Sequence, residues 1–249
     1  MSTRLERERD FHNATFAARS REDAAKFYEV EQAPMEGYVE LLRRYGAPGN
    51  RVLEYGCGPG SQAFALAAQG AKVTGIDISD VAIDQAAERA AREGVSANAD
   101  FRVMNAEETD FEADEFDLVC GTAILHHLDV AAAYAEIARV LKPDGHACFV
   151  EPLGHNPAIR AYRDRTPELR TEDEHPLLEP DLELLRAYFG TVETTYFNLL
   201  TLAAVPLRRS RAFGPAVKAL GAADRLLFRL PLARRQAWMV LIAVGDPLP

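Results

Sequence analysis

From Arg51 onward, short apolar runs alternate with amphipathic stretches. Arg51-Val52-Leu53-Glu54-Tyr55 is an apolar strand that ends in a glycine-rich turn. Ser61 to Gln69 follows as a helix, halted by Gly70. Lys72 to Ile78 is a second strand, and Asp80 to Arg92 an alanine-rich helix halted by Gly94, with Ser79 or Asp80 as its N-cap. Phe101 to Met104 and Phe116 to Gly121 are the third and fourth strands. A helix from about Val130 to Leu141, a turn at Lys142-Pro-Asp-Gly145 and a fifth strand, His146 to Glu151, complete the run. Strand alternating with helix at this spacing predicts a mostly parallel sheet with helices on both faces, a Rossmann-like α/β fold. Pro180 to Phe189 reads as a helix with Leu182, Leu185 and Phe189 on one face; Val192 to Phe197 and Ala237 to Val244 are the sixth and seventh strands.

The flanks differ from this core. Residues 1–45 read as helices that carry Phe11, Phe16, Phe27, Tyr28 and Tyr38 among charges, and form an N-terminal helical cap. Residues 46–151 are the ligand-binding core, 152–190 a polar, proline-containing loop and helix, and 191–249 the last two strands with a helical insertion at 198–235. The whole, 1–249, reads as one domain. The crowded charges of Met1 to Asp10 are no signal peptide, and no run is long and apolar enough for a membrane span. Cys57, Cys120 and Cys148 each lie in or beside an apolar run and predict buried thiols in a reducing compartment, the cytoplasm. A net charge of −10 argues against nucleic acid as a partner.

The chemistry begins at Glu54-Tyr-Gly56-Cys-Gly58-Pro-Gly60, between the first strand and the first helix. Glycines there admit positive φ and let a ligand approach without a Cβ in the way, and the following helix N-terminus favours a polar or anionic group. Asp77, at the end of the second strand and roughly 20 residues on, is placed to accept hydrogen bonds from both ribose hydroxyls of a nucleoside. Dinucleotide enzymes prefer G-x-G-x-x-G around a pyrophosphate; this turn is G-x-G-x-G, preceded by Glu54. A carboxylate at that point repels a pyrophosphate and suits a ligand with a positive charge.

With these residues in place the sequence resembles class I S-adenosylmethionine-dependent methyltransferases, in the small-molecule branch that includes the ubiquinone and menaquinone enzymes. Val52 to Gly60 is similar to their first motif, and Gly75-Ile-Asp77-Ile-Ser79 to their second. Phe116-Asp-Leu-Val119, Leu125-His-His-Leu128 and Leu141-Lys-Pro-Asp-Gly145 resemble the fourth strand, its following turn and the turn before strand five. The likeness is strong over about Arg51–Glu151 and weak outside it. It implies that the backbone of Gly56, Gly58 and Gly60 holds the methionine part of S-adenosylmethionine, with Glu54 orienting it. It further implies Asp77 on the ribose, Ile78 against the adenine, Asn105-Ala106 at the adenine amino group, and the Gly121 carbonyl on the ammonium. Asn105 stands where the branch often has Asp, and its carbonyl oxygen can still accept.

Methyl transfer from a sulfonium is an in-line displacement, which needs alignment and dryness first and a base only if the nucleophile must lose a proton. His126 and His127, after strand four, are the candidates for that base. Glu151, His155, His175, Arg160, Tyr162 and Arg163 are second-rank residues of the substrate side. Glu172-Asp-Glu-His175 reads as a solvated loop, and no metal is expected from ligand spacing.

The insertion carries +7 against −17 for the rest of the chain. Ala216, Leu220, Ala223 and Leu227 share one helical face, and Lys218, Arg225 and Arg229 another. It reads either as a lid packed on the core or as a basic amphipathic helix in peripheral contact with an anionic membrane. Both place apolar surface near the acceptor, so the expected acceptor is an apolar small molecule: lipid-like, prenylated or polyketide-type. The competing readings are a nicotinamide-dependent oxidoreductase, a non-catalytic module that binds S-adenosylmethionine, and aminopropyl transfer. G-x-G-x-G spacing and Glu54 argue against the first, an intact cofactor loop against the second, and the histidine pair against the third.

Overall fold

The structure, a computed structural model, describes residues 3–18, 30, 32–60, 62–171 and 173–249. Phe27 and Tyr28 of the N-terminal reading, Ser61 at the expected helix start and Glu172 lie outside the described residues. The elements in chain order are α1 (Arg4–Ala18), α2 (Gln32–Tyr45), β1 (Arg51–Tyr55), α3 (Ala63–Ala68), β2 (Lys72–Asp77), α4 (Asp80–Glu93), β3 (Ala99–Val103), β4 (Phe116–Thr122), α5 (Val130–Val140), β5 (Leu141–Pro152), α6 (Pro157–Asp164), α7 (Glu179–Leu184), β6 (Phe189–Phe197), α8 (Phe213–Leu227), α9 (Pro231–Arg234) and β7 (Met239–Pro247).

The strands form one seven-stranded sheet in the order β3-β2-β1-β4-β5-β7-β6. All pairings are parallel except those of β7, which runs antiparallel to β5 and β6. The Rossmann-like, mostly parallel sheet expected from the alternation is therefore present. Its central strands are apolar on both faces because both are covered. Leu53, Tyr55, Val119, Phe149, Val240 and Ile242 pack into one core. Their neighbours one residue away, Val52, Leu118, Cys120, Cys148 and Leu241, pack into the other, together with Tyr38 and Leu42 of α2. All three cysteines are free and buried, and burial raises each thiol pKa.

Local signals set the helix ends. The Ser79 hydroxyl accepts the Ala82 N–H at 3.1 Å, so Ser79, not Asp80, caps α4, and Gly94 closes it at φ 73°. Asp129 caps α5 in the same way. The expected turn Lys142–Gly145 survives as a bulge inside β5: Phe116 pairs with Leu141 and Leu118 with His146.

In the insertion, a 3-10 turn (Leu200–Leu207) leads into α8. The inward face of α8 is centred on Asp224, 3 % exposed, while Ala223 is exposed. Asp224 accepts the N–H groups of Leu199, Leu200 and Thr201 and the Thr201 hydroxyl. The sole acid of the basic segment is thus the cap of the preceding turn. No helix of the described residues is long and apolar enough to cross a membrane.

Candidate active site

The strand order reverses between β1 and β4, and a cavity of about 310 Å³ opens at their carboxyl ends. Its first half is the glycine turn. Gly56, Gly58 and Gly60 have φ of 60°, 52° and 94°, as a turn that exposes backbone requires. A Cβ on Gly56 would sit 2.8 Å from Ile124. Asp77 closes the turn from beside it: Oδ2 accepts the Gly58 N–H and Oδ1 the Ser79 N–H, both at 2.9 Å. Ile76, Ile78 and Met104 make an apolar slot beside it, and Asn105 and Ala106 lie at its end, where the Asn105 side chain accepts the Glu107 N–H at 3.1 Å.

Of the residues that the resemblance assigns to the cofactor, Gly56, Gly58, Asp77, Ile78, Asn105 and Ala106 line this cavity. Glu54, Gly60 and Gly121 do not. Glu54 is 2 % exposed and accepts the Gln62 N–H at 3.3 Å, which ties the start of α3 to the end of β1. Gly60 packs against Phe64, and Arg89 donates to its carbonyl at 2.7 Å. Gly121 pairs with Tyr55, and a Cβ there would meet the Tyr55 carbonyl at 2.9 Å. The lining at that point comes from Thr122 and Ala123 instead.

The two histidines part company. His127 lines the cavity; His126 does not and is 5 % exposed. His126 Nδ1–H donates to Glu151 Oε2 at 2.7 Å, and its Nε2 lies 3.8 Å from Glu174 Oε1. Burial holds its pKa below the usual imidazole value, helped by His127 and opposed by Glu151 and Glu174. Glu151, fully buried, also accepts the N–H groups of Ile124 and Leu125, each at 2.9 Å. His126 and Glu151 therefore fix the turn that presents His127 to the cavity.

The far wall is α1, which the sequence did not single out. Arg4, Leu5, Glu8, His12 and Phe16 recur at helical spacing and all face the cavity. Glu8 is 4 % exposed; its Oε2 lies 3.1 Å from His127 Nδ1 and 3.4 Å from His12 Nε2, and Oε1 accepts the Thr171 hydroxyl. Burial raises the Glu8 pKa, but the bonds from His12, His127 and Thr171 outweigh it and hold the carboxyl well below the usual range. Asp173 to His175, read as part of a solvated loop, are instead tied to α1, α6 and the turn after β4. Asp173 pairs with Arg7 at 2.8 Å, Glu174 pairs with Arg163 at 2.8 Å, and the His175 N–H donates to the His126 carbonyl at 2.9 Å. His155 accepts the Glu179 N–H at 3.0 Å and is occupied outside the cavity. The E-x-x-x-H spacing of Glu8 and His12 was the available signal, since residues four apart share a helix face.

Residues 52–145 match the model of a methyltransferase domain. The ubiquinone biosynthesis O-methyltransferase of Hahella chejuensis is 38 % identical over 116 residues, which are 46 % of this chain and 48 % of that protein. The chain spans about half the length of the curated relatives it matches. Among solved structures, the phosphoethanolamine N-methyltransferase 2 of Haemonchus contortus superposes with a TM-score of 0.65 at 20 % identity, over all of this chain and 61 % of that one. The [4+2]-cyclase SpnF superposes with a TM-score of 0.56 at 26 % identity, over 83 % of this chain and 80 % of that one. Residues 52–145, which carry the glycine turn, Asp77 and the turn after β4, are similar to a methyltransferase domain, and the fold is shared with solved methyltransferase structures. Over about half of its length the chain is similar to the ubiquinone biosynthesis O-methyltransferases.

Proposed function

We propose that this protein, working as one domain, transfers the methyl group of S-adenosylmethionine to an apolar small molecule that enters against α1. The observation that carries the reading is a single cavity with two chemically distinct halves. One is the glycine turn with Asp77, Asn105 and Ala106, suited to a nucleoside. The other is walled by Leu5, Phe16, Met35, Leu128, Val150 and Met239, with Glu8, His12 and His127 as its polar groups. An apolar body with one reactive polar group suits such a wall. His127 is the side chain that meets the acceptor; His126 is a positioning residue. Relatives named for ubiquinone biosynthesis support an apolar acceptor.

Exposed leucines support the expectation of peripheral membrane contact. Leu226, Leu230 and Leu232 are 64 %, 58 % and 77 % exposed at the corner joining α8 to α9, beside exposed Arg225 and Arg229. A basic, apolar corner suits an anionic lipid surface.

The test is incubation with methyl-labelled S-adenosylmethionine and a panel of apolar phenols and carboxylates, read by mass spectrometry. Methylated product formed in step with S-adenosylhomocysteine supports the proposal. The likeness to a cyclase favours one second reading, in which the same cavity shapes an acceptor for ring closure. An acceptor isomerised without S-adenosylhomocysteine release would establish that reading instead.

A further inference from the structure

Of the polar groups at the acceptor end, three converge from two separate elements. We propose that Glu8, His12 and His127 form a site for one divalent transition-metal cation of the zinc class, open to the acceptor end of the cavity. This rests on the reading of that end as the acceptor pocket.

Geometry is the first argument. The donor atoms of the three residues lie within 4.8 Å of one another, and Glu8 Oε2 is 3.1 Å from His127 Nδ1 and 3.4 Å from His12 Nε2. Around a zinc-like ion with bonds of about 2.0–2.1 Å, adjacent donors are about 3.4 Å apart in a tetrahedron. Neighbouring donors of an octahedron are about 3.0 Å apart at the same bond length. Both spacings from Glu8 fall on these edges, and the two imidazole donors lie within 4.8 Å of each other, so closure around an ion needs a shift of one ring.

Donor chemistry is the second. Two imidazoles and one carboxylate form the three-ligand set that leaves coordination positions free for an outside molecule. Here the free side faces the cavity, since all three residues line it. An acceptor with an oxygen donor, such as a hydroxyl or carboxylate, would take such a position.

The surroundings are the third. The second oxygen of Glu8 accepts the Thr171 hydroxyl, which fixes the carboxylate from behind. Arg4 donates to the His127 carbonyl at 2.8 Å and pairs with Glu107, and Arg7 pairs with Asp173. These neighbouring cations are thus directed to other partners. A second convergent set, His126, His127 and Glu174, is less suited. His126 and Glu174 lie outside the lining, and the Arg163 guanidinium already sits 2.8 Å from Glu174.

The test is titration of metal-stripped, full-length protein with cobalt(II), followed by visible absorption and calorimetry, with S-adenosylhomocysteine titrated into the same samples. One cobalt per chain is expected, with ligand-field bands that zinc abolishes. Affinity should fall at least tenfold in Glu8→Gln and in His12→Gln, and stay unchanged in His146→Gln. Glu8 is buried, so thermal melting is recorded for each variant; His12→Gln leaves Glu8 in place if Glu8→Gln fails to fold. Absence of saturable cobalt binding to the wild type, or binding unchanged in His12→Gln, would overturn the site. Cofactor binding without cobalt binding removes the metal site alone. Cobalt binding without cofactor binding removes the cofactor reading and leaves the metal site standing.

Discussion

Glu8 Oε2, on the first helix, lies 3.1 Å from Nδ1 of His127, which follows the fourth strand. This contact joins an element outside the region of family likeness to the turn that closes the cofactor cavity. The region of family likeness therefore supplies the glycine-turn half of the cavity, and α1 supplies much of the opposite wall. The consequences can be measured separately.

Gly56→Ala places a methyl group 2.8 Å from Ile124 at a φ of 60°. A left-handed alanine costs about 1–2 kcal/mol, and Ile124 must move into the cavity. The variant should melt at lower temperature and bind S-adenosylhomocysteine more weakly. Calorimetry and a thermal melt check both, and wild-type values for both would contradict the close approach.

Glu151→Ala should be among the most damaging substitutions outside the lining. It strips the Ile124 and Leu125 N–H groups and the His126 imidazole of their common acceptor. Each buried N–H left without an acceptor costs about 1–3 kcal/mol. Glu151→Gln should be milder, because the amide oxygen still accepts and His126 can move its proton to Nε2. Urea unfolding of the two variants ranks them; equal losses would contradict the assignment.

Glu136 gives a pH signature. Burial raises its pKa, but hydrogen bonds from Arg139 and Thr109 outweigh burial and leave it lowered. A carboxyl whose pKa falls on folding stabilises fully above its unfolded value, about 4.3. That contribution is lost as the pH drops through the folded value. The stability gap between wild type and Glu136→Gln should be flat above about pH 5.5 and close on acidification. Denaturant midpoints from pH 7 to pH 3 test this, and a gap that widens in acid would contradict it.

Flotation with vesicles tests the basic corner. Wild type should float with phosphatidylglycerol-rich vesicles and not with neutral ones, and salt should weaken binding. Leu226→Glu combined with Leu230→Glu should abolish it. Wild type that stays in the soluble fraction at low salt would contradict membrane contact.

The sequence revealed the parts of this protein governed by short-range rules. Strand runs, capping residues and the positive-φ glycines follow from local sterics, so β1, β2 and β4, Ser79 and the Gly56 turn were readable. Helix α6 was not, because Pro157–Asp164 is short and only Ile159 of it is buried; the signal was Asn156, which accepts the Ala158 and Ile159 N–H groups ahead of Pro157. Glu174 was misread as solvated because its pairing with Arg163 depends on a chain return that periodicity does not encode. Glu8 and His12 carried only their four-residue spacing as a signal; the fold sets His127 and Thr171 against Glu8.

Calorimetry with S-adenosylhomocysteine, on wild type and on Asp77→Ala, tests the central claim most directly. Asp77 closes the glycine turn through the Gly58 N–H and borders the nucleoside half of the cavity. The account predicts binding by wild type and a loss of at least tenfold, about 1.4 kcal/mol, in the variant. No heat with S-adenosylhomocysteine on folded wild-type protein, or equal binding by both proteins, would contradict it.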